Sequence, residues 1–109
     1  MPRRTSLELP LSCYGSSALG FALQYLPAEA ECELLIIGGI HGEESDGTIS
    51  LSRALRSVEP DEVSPHLSVV LCANPDGVIR GTRGNANGVD LNRNFPSSNW
   101  SSAPSSCRW

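Results

Sequence analysis

The chain has 109 residues and a mass of 11.6 kDa, room for at most one small domain with a modest core. With 39% hydrophobic and 18% charged residues it reads as soluble and globular, excluding a disordered chain, and no stretch approaches the length of a membrane span. A net charge of −4, carried against arginines with no lysine, argues against a nucleic-acid partner, as does the lack of a basic stripe with interleaved aromatics.

Residues 1–12 carry no strong pattern and read as a leader. The segment after Arg3 and Arg4 is too short and interrupted for a signal peptide, so a cytoplasmic location with reduced thiols is expected. Cys13, Cys32, Cys72 and Cys107 form no C-x-x-C pair, and Cys72 reads as a core residue. Tyr14 to Gly20 is punctuated by small residues and leads into a strand over Phe21 to Leu26, closed by Pro27.

The apolar run Leu34 to Ile40 predicts a strand buried on both faces. A helix follows from about Ser45, with Ile49, Leu51, Ala54, Leu55 and Val58 on one face and Pro60 and Pro65 marking its end. Leu67 to Ala73 is the next strand, stopping at a turn, Asn74-Pro75-Asp76-Gly77. Strand, helix, strand implies a parallel βαβ unit and the α/β class. Both His41 and Asn74 would then lie at carboxyl ends of strands, where such sheets collect their sites. Residues 81–96 are rich in Gly, Asn and Arg and predict a long functional loop; 97–109 form a serine-rich tail with little to pack.

His41 and Glu44 follow the first of those strands. A neutral imidazole and an ionised carboxylate at this spacing suit two of the three protein ligands of a catalytic zinc ion. Taken by itself this common spacing fits better a turn histidine beside acidic groups that favour a helix N-terminus. Further on, Asn92 and Arg93 can grip a carboxylate through an amide and a planar guanidinium. Arg83 can place a fixed positive charge where an oxyanion develops. Asp90 can accept the free N–H of a metal-bound imidazole. A solvent-exposed polar loop would carry the same residues. His66 sits at the amino end of its strand and reads as a surface histidine.

Taken in order, His41-Gly42-Glu43-Glu44, Asn74-Pro75-Asp76-Gly77 and the stretch from Arg83 through Asn87-Gly88-Val89-Asp90-Leu91-Asn92-Arg93-Asn94-Phe95-Pro96 resemble the zinc carboxypeptidase family. The resemblance spans about Tyr14 to Trp100 and is most specific for the bacterial branch acting on murein tripeptides. It implies a mixed, largely parallel sheet flanked by helices, of which residues 13–96 are the amino-terminal, incomplete part. It implies Zn²⁺ held by His41 and Glu44, with Asp90 as the partner of His41. It also implies that Arg83 polarises the scissile carbonyl and that Asn92 and Arg93 bind the substrate carboxylate. The expected reaction is hydrolysis of the γ-D-glutamyl–meso-diaminopimelate bond during cell-wall peptide recycling. The family also needs a second histidine ligand and a glutamate base further along, which residues 1–109 do not contain. The chain alone is therefore expected to bind metal weakly and to be inactive or nearly so. Two alternatives stand beside this reading: a deacylase of the aspartoacylase/succinylglutamate desuccinylase type, and a non-catalytic carboxylate-binding remnant with an aggregation-prone sheet edge.

Overall fold

A computed structural model describes residues 7–102 of the chain. Residues 1–6 of the expected leader, and 103–109 of the expected tail with Cys107, lie outside the described residues. Four strands and two helices run in the order β1 (Ser12–Ser16), β2 (Ala22–Tyr25), β3 (Leu34–Ile37), α1 (Asp46–Ser57), β4 (Leu67–Val70) and α2 (Pro75–Arg80). Short 3₁₀ turns occupy Pro60–Glu62 and Leu91–Arg93.

The expected parallel βαβ unit is present. β3 and β4 pair in parallel, Leu34 opposite Leu67 through Ile37 opposite Val70, with α1 as the crossover. β1 and β2 form an antiparallel hairpin whose register shifts between Cys13 and Gly15. The expected Phe21–Leu26 strand is β2, but β1 was not foreseen. Its residues, Ser12-Cys13-Tyr14-Gly15-Ser16, show no apolar alternation, and four of the five are exposed, so pairing with β2 rather than burial defines the strand. One bridge joins the hairpin to the parallel pair, with Leu26 N–H donating to the Val69 carbonyl at 2.7 Å and Val69 N–H returning to Leu26 at 3.1 Å.

Three expectations need correction. First, the Leu34–Ile40 run is not buried on both faces: Leu34 and Leu35, which point to opposite faces, are 56% and 54% exposed. Ile36 packs against the core, while Leu35 and Ile37 on the opposite face of β3 stay exposed among the described residues. The strand proper also stops at Ile37, because Gly39 adopts φ +65° and turns the chain away. Sheet-like hydrogen bonds nevertheless continue, from Gly38 N–H to Val70 and from Ala73 and Asn74 N–H to Gly38 and Gly39.

Second, the inward face of α1 consists of Thr48, Leu51, Ser52 and Leu55, not of every apolar residue in the helix. At 3.6 residues per turn Ile49 lies about 120° and Ala54 about 100° from Leu55, and both are exposed. Leu55 joins Leu26 and Val69 in the buried core, and the Thr48 hydroxyl donates to the Leu71 carbonyl at 2.7 Å. Third, Asn74-Pro75-Asp76-Gly77 is a helix start rather than a free turn. The Asn74 side chain accepts from Gly77 N–H, Pro75 takes the first helical position, and Gly81 closes α2 with a left-handed C-cap.

Leu7, Leu9 and Leu11 pack against the core, so the chain is already part of the folded body ahead of β1.

Candidate metal and carboxylate site

The junction after β3 and the junction after β4 lie against each other. Gly42 makes this possible, because a Cβ there would run into the backbone of Gly77 and come within 2.5 Å of the Thr82 carbonyl. His41 is thereby held over the Arg83–Asp90 loop.

Asp90 is the centre of that loop. Its Oδ1 lies 2.9 Å from His41 Nε2 and accepts from Asn92 N–H at 2.9 Å, while Oδ2 accepts from Arg83 Nε at 3.0 Å. Burial of Asp90 opposes its ionisation, but hydrogen bonds from His41, Arg83 and the Asn92 amide outweigh it. The carboxyl is held below its ordinary range. For Arg83, partial desolvation works against the charge, and the hydrogen bond to Asp90 with the nearby carboxylates overcomes it, raising its pKa. Arg83 Nη1 also lies 3.6 Å from Glu43 and 3.9 Å from Glu44.

The other ring nitrogen of His41 faces Glu44, with Nδ1 3.1 Å from Oε2. With the Nε2 hydrogen given to ionised Asp90, a neutral imidazole presents a lone pair at Nδ1 toward a carboxylate oxygen. Two acceptors at that distance require a positive centre between them, either a proton or a cation. The separation suits two donors on one zinc ion at about 2.1 Å each. The residues present therefore fit two positions of a zinc site. Among the described residues no group of three His, Cys, Asp or Glu side chains is gathered for a metal ion.

Of the six residues singled out in the sequence, His41, Glu44, Arg83 and Asp90 thus share one cluster. Asn92 and Arg93 lie on the exposed 3₁₀ turn that Asp90 caps. Asn92 joins the cluster through its backbone amide, and Arg93 Nη1 donates to the Asn92 carbonyl at 3.0 Å. His66 is remote, with Nδ1 2.8 Å from the Glu31 carbonyl. The sequence reading assigned no role to Asn74, although its side chain links the His41 and Arg83 segments. The signal available was a polar residue directly after an apolar strand and ahead of a proline.

Comparison with known proteins defines the class first. The structure superposes on murein-tripeptide amidase from Escherichia coli O157 with a TM-score of 0.85 at 44% identity, covering 94% of this chain and 44% of that one. It also superposes on a succinylglutamate desuccinylase/aspartoacylase from Rhodobacter sphaeroides with a TM-score of 0.58 at 27% identity, covering 72% of this chain and 25% of the other. Murein peptide amidase A of Escherichia coli K12 is 49% identical over 98 residues, 88% of this chain and 40% of that protein. The fold is that of an α/β metallopeptidase or amidase. Residues 30–108 match the succinylglutamate desuccinylase/aspartoacylase catalytic domain, and the chain belongs to that family. It spans about two fifths of the length of the curated amidases it matches.

Proposed function

We propose that residues 13–96 supply the His41–Glu44 half of a zinc site in a cytoplasmic amidase that cleaves the γ-D-glutamyl–meso-diaminopimelate bond of murein tripeptide. The observation carrying this reading is the 3.1 Å approach of His41 Nδ1 to the Glu44 carboxylate while Asp90 holds Nε2. Zn²⁺, when bound, would supply a Lewis acid and an activated water.

The chain's own residues do the rest. Asp90 fixes the ring orientation and tautomer of His41, so that Nδ1 presents its lone pair beside Glu44 as a metal ligand, and strengthens that nitrogen as a base. Arg83, anchored to Asp90 through Nε with Nη1 facing Glu43 and Glu44, is a fixed positive charge beside the cluster that would stabilise negative charge developing on a substrate carbonyl oxygen. Asn92 and Arg93, on the exposed turn set by Asp90, offer amide and guanidinium donors to a substrate carboxylate. A diaminopimelate carboxylate is an anion of the right kind. On its own the chain would bind zinc weakly and turn over little or no substrate, because two donors hold a metal less well than three.

The match of residues 30–108 favours a second reading, a zinc deacylase acting on N-acyl amino acids. One experiment separates the two: the native gene product, isolated from its own cells and weighed intact, is assayed with murein tripeptide and with N-succinylglutamate. Chelator-sensitive release of diaminopimelate supports the amidase, and release of succinate the deacylase. Failure on both substrates with zinc bound would overturn both readings.

A further inference from the structure

Asn74 is 2% exposed, and its side-chain amide uses three hydrogen bonds on three different segments. Nδ2 donates to the Ile40 carbonyl at 3.1 Å and to the Gly84 carbonyl at 3.1 Å, while Oδ1 accepts from Gly77 N–H at 2.9 Å. The Ile40 carbonyl belongs to the peptide group that leads into His41, and Gly84 directly follows Arg83. The backbone adds a fourth tie, from Asn74 N–H to the Gly39 carbonyl at 2.9 Å. One amide therefore holds, by its two hydrogens, the backbone beside the histidine and the backbone beside the arginine.

We infer that Asn74 is a positioning residue that sets the His41 ring and the Arg83 guanidinium against the shared carboxylate of Asp90. What those two side chains are positioned to do rests on the function proposed above; that they are positioned together does not. Asparagine suits the task for a chemical reason. The position needs two donors toward carbonyl oxygens and one acceptor toward an N–H, and of the short side chains only a primary amide supplies all three. Aspartate has the same shape and caps α2 as well, but it turns a carboxylate oxygen toward two carbonyl oxygens.

Asn74→Asp thus keeps the helix cap and removes both ties. The test uses the 109-residue chain, with side-chain nitrogen NMR of Arg83 Nε and the His41 ring, and a titration with Zn²⁺ alone. A Leu55→Ala variant, which weakens the core away from the site, controls for lost stability. The expected result for folded Asn74→Asp is loss of the hydrogen-bonded Arg83 Nε–H and His41 Nε2–H signals and Zn²⁺ binding weakened by about tenfold or more. Leu55→Ala should keep both signals and the wild-type affinity. Should Asn74→Asp not fold, Asn74→Ser carries the same comparison, because it keeps an acceptor for the cap and at most one donor. Unchanged Arg83 and His41 signals in a folded variant would overturn the inference, as would failure of both variants to fold, which would make Asn74 a purely structural residue. If the wild-type chain binds Zn²⁺ too weakly to titrate, as two donors alone allow, the NMR comparison alone decides the role of Asn74.

Discussion

Asp90 Oδ1 lies 2.9 Å from Nε2 of His41, and this contact ties the loop from Arg83 to Asn94 to the junction after β3. The same carboxylate accepts Arg83 Nε and the Asn92 amide, so the geometry of three other functional candidates depends on a single buried charge.

Replacing Asp90 with Asn should therefore cost on two counts. The amide can accept from one neighbour but must turn its own N–H₂ toward another donor, so about 2 kcal/mol of folding stability is expected to go. Zinc affinity should fall by about 10–100-fold, since the imidazole loses the partner that orients it. Urea unfolding reads the first effect, and zinc titration of the folded variant the second.

Acid should unfold the protein in part through the same residue. The folded-state pKa of Asp90 is lowered from the ordinary value of 3.8, so the unfolded chain binds the proton more readily. The stability Asp90 contributes is fully present above that value and is lost as pH falls below it, through the lower folded-state value. Urea midpoints between pH 6 and 2, taken as roughly bracketing this window, should fall for the wild type and flatten at the acid end for Asp90→Asn. Parallel curves would exclude Asp90 as a source of the acid sensitivity.

Gly42→Ala tests the approach of the two junctions. The added methyl would strike the Gly77 backbone, which cannot rotate away as a side chain can. A loss of at least about 2 kcal/mol is expected by denaturant unfolding. At Gly47, where nothing lies within 4 Å of an added Cβ, the same substitution should be tolerated.

Asp76, 2% exposed, fastens the β1–β2 turn to α2 by accepting from the Ser17 hydroxyl at 2.7 Å and Leu19 N–H at 3.1 Å. Asp76→Ala should cost about 1–3 kcal/mol. Increased hydrogen exchange of the Leu19 amide should accompany it. Zinc binding should change little, since none of these bonds reaches His41 or Glu44.

Among the described residues β3 has one strand partner and exposes Leu34 and Leu35, which predicts concentration-dependent self-association of the 109-residue chain. Leu35→Lys should reduce it in sedimentation experiments while leaving the free energy of unfolding within about 0.5 kcal/mol. Equal association of both proteins would place the sticky surface elsewhere.

Local chemistry made much of this legible. The apolar runs at 34–40 and 67–73 with an amphipathic stretch between them specified the parallel unit, because strand and helix periodicities survive in the residues themselves. His41, Glu44, Arg83 and Asp90 were recognisable from residue type and order. β1 was not, because its residues carry no pattern and only its partner makes it a strand. The start of α2 was misread as a turn because Asn-Pro-Asp-Gly begins both, and the choice depends on whether Asn74 finds Gly77 N–H to cap.

The sequence by itself determined the fold class, the family and the residue types available for metal and carboxylate chemistry. Only the tertiary structure decided that Asp90 joins His41 to Arg83, that Asn74 ties both of their backbones, and that Leu34 and Leu35 of β3 are exposed among the described residues. Those facts depend on contacts between residues far apart in the chain, and hydrogen-bond partners and burial exist only once the chain has closed on itself.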